Sequence, residues 1–133
     1  MPTYGERTLE FTHGEGVYLY SKNKKKYLDF GSGISVTSLG HCHPILIKAI
    51  NKQSKKLWHT SNLYYSEAQE KYASLLCLDS FAEKVFFTNS GSEANDTAVK
   101  ILWMLNKRRG QPRKRKILTR INAYHGVTLG ATS

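Results

Sequence analysis

An α/β fold is the class this sequence predicts, and three stretches predict it. Lys84 to Thr88 (KVFFT) is a short apolar, aromatic run with the composition of a buried strand. Glu93 to about Arg108 places Ala94, Ala98, Ile101, Leu102 and Leu105 on one helical face. Lys116 to Ile121 (KILTRI) then reads as a second strand. Strand, crossover helix and strand make a βαβ unit, and therefore a parallel sheet with a right-handed connection.

The elements upstream follow in order. Gly16 to Ser21 (GVYLYS) and Lys26 to Phe30 (KYLDF) are aromatic and β-branched runs around a polar tip, the pattern of a β-hairpin. The glycine-rich passage that follows, GSGISVTSLGHCHP, has no regular periodicity. Pro44 suits the first turn of a helix running to about Leu57, with Lys52, Lys55 and Lys56 near its negative C-terminal end. Ser66-Glu67-Ala68-Gln69 has the spacing of a capping box and opens a helix whose apolar face is Ala68, Tyr72, Leu75 and Leu76. After the second strand the chain turns at NAYHG and reaches Ser133 inside what reads as another helix.

Composition narrows the function. The 133 residues suffice for one domain with a modest core, and 40% apolar content is ordinary for a folded protein. Cys42 and Cys77 follow no zinc or disulfide-framework spacing, which suggests free thiols in a reducing, cytoplasmic setting. Met1 to Glu10 is polar and does not resemble a signal peptide, and no run approaches the roughly 18 apolar residues of a membrane span. The formal charge of +10 is largely local, because eight basic residues and no acidic one lie between Lys107 and Arg120. Without them twelve basic residues face ten acidic ones. An exposed connector is the plain reading of residues 107–120. The alternative is a module that binds nucleic acid or an acidic partner, but no interleaved aromatics accompany the run, and nucleic acid is not the expected partner. His41-Cys42-His43 does not make a zinc site without further ligands, so no metal is expected.

The chemistry concentrates at Asn89 to Glu93. Ser90 and Glu93 have capping-box spacing, which accounts for both. It does not account for Gly91, which costs about 0.5–1 kcal/mol relative to alanine in a helix. Glycine is useful where backbone must approach a ligand closely. The N-terminus of a helix following a parallel strand offers free amides and a favourable dipole to an anion. Ser92 adds a hydroxyl at the same rim, so a phosphate fits here. The sequence lacks both the Gly-x-x-x-x-Gly-Lys and the Gly-x-Gly-x-x-Gly nucleotide loops. At the end of the second strand come Tyr124, His125 and Gly126, near the phosphate turn if the two strands are neighbours. An aromatic ring there could stack on a flat cofactor, or simply pack at the rim.

Four segments, YLDFGSGISVTSLGHCHP, KLWHTSNLYY, VFFTNSGSEAND and AYHG, in this order and spacing, closely resemble the N-terminal portion of class III pyridoxal-phosphate-dependent aminotransferases. The resemblance covers essentially the whole chain. It implies a fold-type I enzyme that moves an amino group between an amino donor and a 2-oxo acid. It also implies a homodimer with active sites at the subunit interface. On that pattern residues 1–60 are an N-terminal segment with hairpin and helix, and 61–133 begin the large, cofactor-binding domain. The phosphate of pyridoxal 5'-phosphate would rest on Ser90, Gly91 and Ser92, with Tyr124 stacked on the pyridine ring and His125 beside it. Ser32, Gly33, Tyr64 and Val127 resemble positions that approach the substrate.

The resemblance divides within the class. MPTYGERTLEF, GEGVYLY and KLWHTSNLYY look like acetylornithine aminotransferases, whereas TNSGSEANDTAVK and YHGVT look like ω-amino-acid and amine transaminases. Acetylornithine enzymes typically carry an arginine directly after the aromatic-His-Gly turn, where a guanidinium can clamp the substrate carboxylate. Val127 stands there instead. The family also needs a lysine for the cofactor's Schiff base and an aspartate at the pyridinium nitrogen. Both lie downstream of the matched region, so no catalytic residue is expected in this chain. The expectation is an N-terminal fragment, inactive alone: either part of a split enzyme, whose other half a complementing downstream chain could supply, or an inactive remnant. An open sheet edge and an uncovered apolar face should then make it poorly soluble.

Overall fold

A computed structural model of the chain describes residues 4–132. The stop at Ser133 and the first three residues of the MPTYGERTLEF segment lie outside the described residues. The chain forms two units, one ending at Tyr65 and the other beginning at Ser66.

The first unit is built on an antiparallel three-stranded sheet, β1 (Phe11–Glu15), β2 (Tyr18–Ser21) and β3 (Lys26–Leu28), in that order. β2 and β3 are the expected hairpin, with Tyr18 opposite Leu28 and Tyr20 opposite Lys26. Its tip closes through Ser21, whose amide and hydroxyl both donate to the Lys25 carbonyl, at 3.0 and 3.1 Å. β1 is an addition. Its FTHGE sequence has no alternation and, beyond Phe11, no apolar content, and it is a strand because β2 offers a free edge. Cross-strand rings fix the pairing: His13 stacks on Tyr20 at 4.5 Å, and Phe11 meets Tyr27 edge-on at 5.4 Å.

The glycine-rich passage is an ordered turn. Gly16 and His41 exchange both backbone hydrogen bonds, at 3.0 and 2.7 Å. Asp29 accepts from the amides of Gly31 and Ser32 and from His41 Nε2, at 3.0, 2.9 and 2.8 Å. Between them Ser32–Ser35, labelled α1, is a turn of left-handed backbone, with φ of 45°, 58°, 59° and 68° along its four residues. Left-handed backbone costs a residue with a Cβ about 1–2 kcal/mol, so consecutive examples hold only where surrounding bonds over-determine them. Asp29 supplies those bonds at the entry. α2 (Pro44–Ser54) follows, with proline at its first turn as expected.

The second unit contains α3 (Glu67–Leu78), α4 (Gly91–Arg108) and α5 (Leu129–Thr132), with α5 against α4. α3 begins where its capping pattern says, but the Ser66 side chain makes no capping hydrogen bond. The start is set by backbone instead: Ser66 is extended and its carbonyl accepts from Glu70 at 3.1 Å. Glu67 and Glu70 also place negative charge in the positive first turn.

Neither expected strand of the βαβ unit is hydrogen-bonded as a strand among the described residues. Residues 84–88 and 116–121 flank α4 as irregular segments, and the only ladders among the described residues are those of the first unit's antiparallel sheet. An extended run becomes a strand only when a neighbour takes up its amides and carbonyls, and neither run has one here. The residues expected to be buried are consequently open: Phe86 is 73% exposed and Leu118 97%. Phe87 alone finds a ring, stacking on Tyr72 of α3 at 5.7 Å.

Uncovered apolar surface extends to both units. No hydrophobic side chain is buried among the described residues, and the accessible surface is 12,917 Å². Two separate compact bodies of half this mass would together expose only about 8,500 Å² by size scaling. The helices show the apolar faces their periodicity predicts, and these faces are left largely open. Leu75 and Leu102 are both more than half exposed.

The basic connector after α4 is held back on the helix. Asn106 Nδ2 donates to the Lys114 carbonyl at 2.9 Å, and Trp103 Nε1 to the Arg115 carbonyl at 3.1 Å.

Candidate cofactor site

The entry to α4 is capped at several points. Ser90 is extended (φ −152°, ψ 162°), and its Oγ accepts from the Glu93 amide at 3.2 Å. Glu93 Oε2 reaches back to accept from the Asn89 amide at 2.7 Å, one residue before the position a standard capping box uses. Thr88 Oγ1 donates to the Ser90 carbonyl at 3.1 Å. These bonds leave the amides of Gly91 and Ser92 with no protein acceptor among the described residues.

Gly91 has no internal reason to be glycine. Its φ lies outside the left-handed region, and a Cβ built there would meet no atom within 4 Å. Open space over two free amides, at the positive end of an 18-residue helix, is the chemistry of an anion seat.

The turn after residue 121 is tied to this same helix start. Val127 N donates to Ser92 Oγ at 3.0 Å, and Asn95 Nδ2 donates to the His125 carbonyl at 2.6 Å. Between them Gly126 adopts φ 128°, and a Cβ there would overlap the Ser92 hydroxyl. A hydroxyl has one proton and two lone pairs, so Ser92 can accept from Val127 and still donate its own proton outward. Tyr124 lies one residue before the bonded segment, 81% exposed, and stacks on no other ring among the described residues.

Of the residues singled out from sequence, the structure brings Ser92, Val127 and the backbone of His125 and Gly126 together at the first turn of α4. Ser90 and Gly91 adjoin them along the chain. Ser32, Gly33 and Tyr64 belong to the first unit. The first two lie in the left-handed turn, and the Tyr64 amide donates to the Ser61 carbonyl at 3.0 Å. Asn95 and the Asp29–His41 pair were not singled out. Asn95 follows a capping motif that already explained its neighbours, and only tertiary contact shows what its amide reaches. The Asp29–His41 bond spans twelve residues across a passage without periodicity. It holds the Asp29 carboxyl below its ordinary range, chiefly through the His41 hydrogen bond and then through the Ser32 amide.

A cavity of about 570 Å³ adjoins this turn, lined by Asn95, Leu102, Ile117, Tyr124, His125 and Val127 among others. None of Ser90, Gly91 and Ser92 lines it, so it is a gap beside α4 and not the anion seat. Among the described residues no group of three His, Cys, Asp or Glu side chains could hold a metal, and no helix is long and apolar enough to cross a membrane.

The chain belongs to the class-III aminotransferases: the family model matches residues 2–133. These are pyridoxal-phosphate enzymes of the fold-type I architecture. The chain is 47% identical over 127 residues to the acetylornithine aminotransferase of Agrobacterium fabrum, covering 96% of its own length and 32% of that enzyme. It superposes on an ω-transferase from Vibrio fluvialis JS17 with a TM-score of 0.84 at 43% identity, covering 94% of this chain and 30% of that one. It likewise resembles the ω-transaminase of Pseudomonas jessenii solved in complex with PMP, with a TM-score of 0.87 at 37% identity, covering 97% and 31%. The chain thus spans about a third of the length of the relatives it matches.

Proposed function

We propose that this chain supplies the phosphate seat and the ring-stacking side of a class-III aminotransferase site, and that the assembled enzyme moves an amino group from an amino donor to a 2-oxo acid. One observation carries the reading. The turn bearing Tyr124 and His125 is bonded to the helix start that leaves the Gly91 and Ser92 amides unclaimed. A flat ring with a phosphate arm suits that pairing. When bound, pyridoxal phosphate supplies the electron sink that makes bond breaking at the donor carbon possible.

The chain's own residues have separate tasks. The Gly91 and Ser92 amides, with the Ser92 hydroxyl, hold the phosphate dianion by charge-assisted hydrogen bonds. Ser90 and Glu93 keep the helix start closed so that those amides point together. Tyr124 offers its face to the ring, with His125 beside it. Ser32, Gly33, Tyr64 and Val127 are assigned to the substrate on the family resemblance alone. Val127 brings no charge to clamp a carboxylate, which favours donors recognised by shape over a bidentate α-carboxylate contact. Relatives by sequence include acetylornithine aminotransferases and relatives by structure include ω-transaminases, so the donor is drawn from those classes.

The lysine that carries the cofactor and the aspartate at its ring nitrogen belong, on this reading, to the two-thirds of the relatives' length that this chain does not span. The chain is then inactive alone. It acts in a cytoplasmic homodimer, or with a complementing chain that carries those groups. The test is turnover with an amine or ω-amino donor and pyruvate. None is expected from the purified chain, and sustained turnover by it would overturn the assignment of the missing groups.

A further inference from the structure

We propose that Asn95 is a positioning residue for the cofactor ring: with Ser92 it forms a two-point clamp that orients the 124–127 turn over the phosphate seat. The inference rests on the cofactor reading above and concerns a side chain that reading does not use.

The geometry is specific. Ser92 and Asn95 are three residues apart on α4, so they share a face and are separated by about 4.5 Å of helix rise. Both reach the same turn, Ser92 at the Val127 amide (3.0 Å) and Asn95 at the His125 carbonyl (2.6 Å). One bond would let the turn swivel, whereas two bonds a helical turn apart fix its direction. A carbonyl only accepts, so Asn95 must present its amide nitrogen, and aspartate or alanine at this position could not replace it at neutral pH. Gly126, between the two anchor points, has a backbone conformation and a closeness to Ser92 that exclude a side chain, so the clamp is tight. Tyr124 is joined directly to the clamped residue, and its exposed ring meets no other ring that could hold it. Its direction therefore depends on the backbone at His125, which Asn95 sets.

The clamp separates two parts of the ligand. Phosphate affinity depends on the Gly91 and Ser92 amides, which Asn95 does not touch, whereas ring affinity depends on the turn. The test is to titrate the full chain and its Asn95→Ala and Asn95→Gln variants with pyridoxal phosphate and, separately, with inorganic phosphate. Asn95→Ala is expected to weaken pyridoxal phosphate about three- to tenfold, the range of a lost aromatic stack. Inorganic phosphate should bind as before, and Asn95→Gln, which keeps a donor, should recover part of the loss. Equal losses for both ligands, or no loss for either, would overturn the clamp. Should Asn95→Ala fail to fold by circular dichroism, the unsubstituted chain decides: slowed exchange of the Asn95 side-chain amide protons together with the Val127 amide supports the clamp, and side-chain exchange at the free-asparagine rate overturns it. An unsubstituted chain that takes neither ligand removes the cofactor reading itself, and the positioning role falls with it.

Discussion

Gly126→Ala is the sharpest perturbation of the site. Gly126 holds φ at 128°, a region that residues with a Cβ avoid at a cost of order 1–3 kcal/mol. The added methyl would also occupy the space of the Ser92 hydroxyl, so Val127 N→Ser92 Oγ and Asn95 Nδ2→His125 O could not both survive. Each of those bonds contributes about 1 kcal/mol. With one or both bonds lost the penalty is about 2–5 kcal/mol, more than a single exposed turn can offset, so the turn should open instead of absorbing the strain. Hydrogen exchange followed by mass spectrometry would show it. The peptide covering residues 120–132 should exchange at nearly the unstructured rate in the variant, while the body of α4 keeps its protection. Pyridoxal phosphate affinity should fall more than tenfold. A Gly126→Ala chain with unchanged exchange in this peptide and unchanged affinity would refute the claim that this turn is bonded to the helix start.

Ser90→Ala removes the cap of α4 and should cost about 1 kcal/mol, read as reduced helix content by circular dichroism and weaker binding of inorganic phosphate; full retention of both would separate the cap from the anion seat. The Asp29 carboxyl is held below its ordinary value in the folded chain, so its contribution is present above about pH 4 and is lost as pH falls through the lowered value. Exchange protection of the Gly31 and Ser32 amides should therefore decline on acidification, and Asp29→Asn should abolish that decline; an identical acid limb in the variant would assign it elsewhere. The open apolar faces should make the isolated chain bind a hydrophobic dye and self-associate in sedimentation, and a monodisperse chain that binds no dye would contradict the uncovered surface.

Local patterns in the sequence located most of the helices and the hairpin. Pro44 and the Ser90–Glu93 pair mark helix starts by local chemistry, the spacing at Ser66 locates a third although its side chain makes no cap bond, and the β2–β3 hairpin follows from two aromatic runs about a polar tip. β1 was hidden because FTHGE carries no strand pattern and is a strand only by pairing with β2. The opposite holds for residues 84–88 and 116–121: their composition suits buried strands, but pairing is a property of neighbours, and composition cannot supply one. The left-handed turn at Ser32–Ser35 was equally illegible, since serine and isoleucine there argue against positive φ and only the Asp29 and His41 bonds explain it. In the site, the anomaly of Gly91 was readable from one helix start. The service of Ser92 and Asn95 to a turn thirty or more residues away was not.

The first measurement to make is the fate of pyridoxal phosphate on this chain. Absorbance titration would be followed by borohydride reduction and mass mapping, with and without a chain carrying the remaining two-thirds of a family member. Saturable binding by the chain alone, displaced by inorganic phosphate and leaving no single lysine modified in stoichiometric yield, is the expected result. Covalent attachment should then appear on the added chain. Stoichiometric attachment to one lysine of this chain, or no displaceable binding at all, would contradict a site that holds the phosphate and ring but not the lysine.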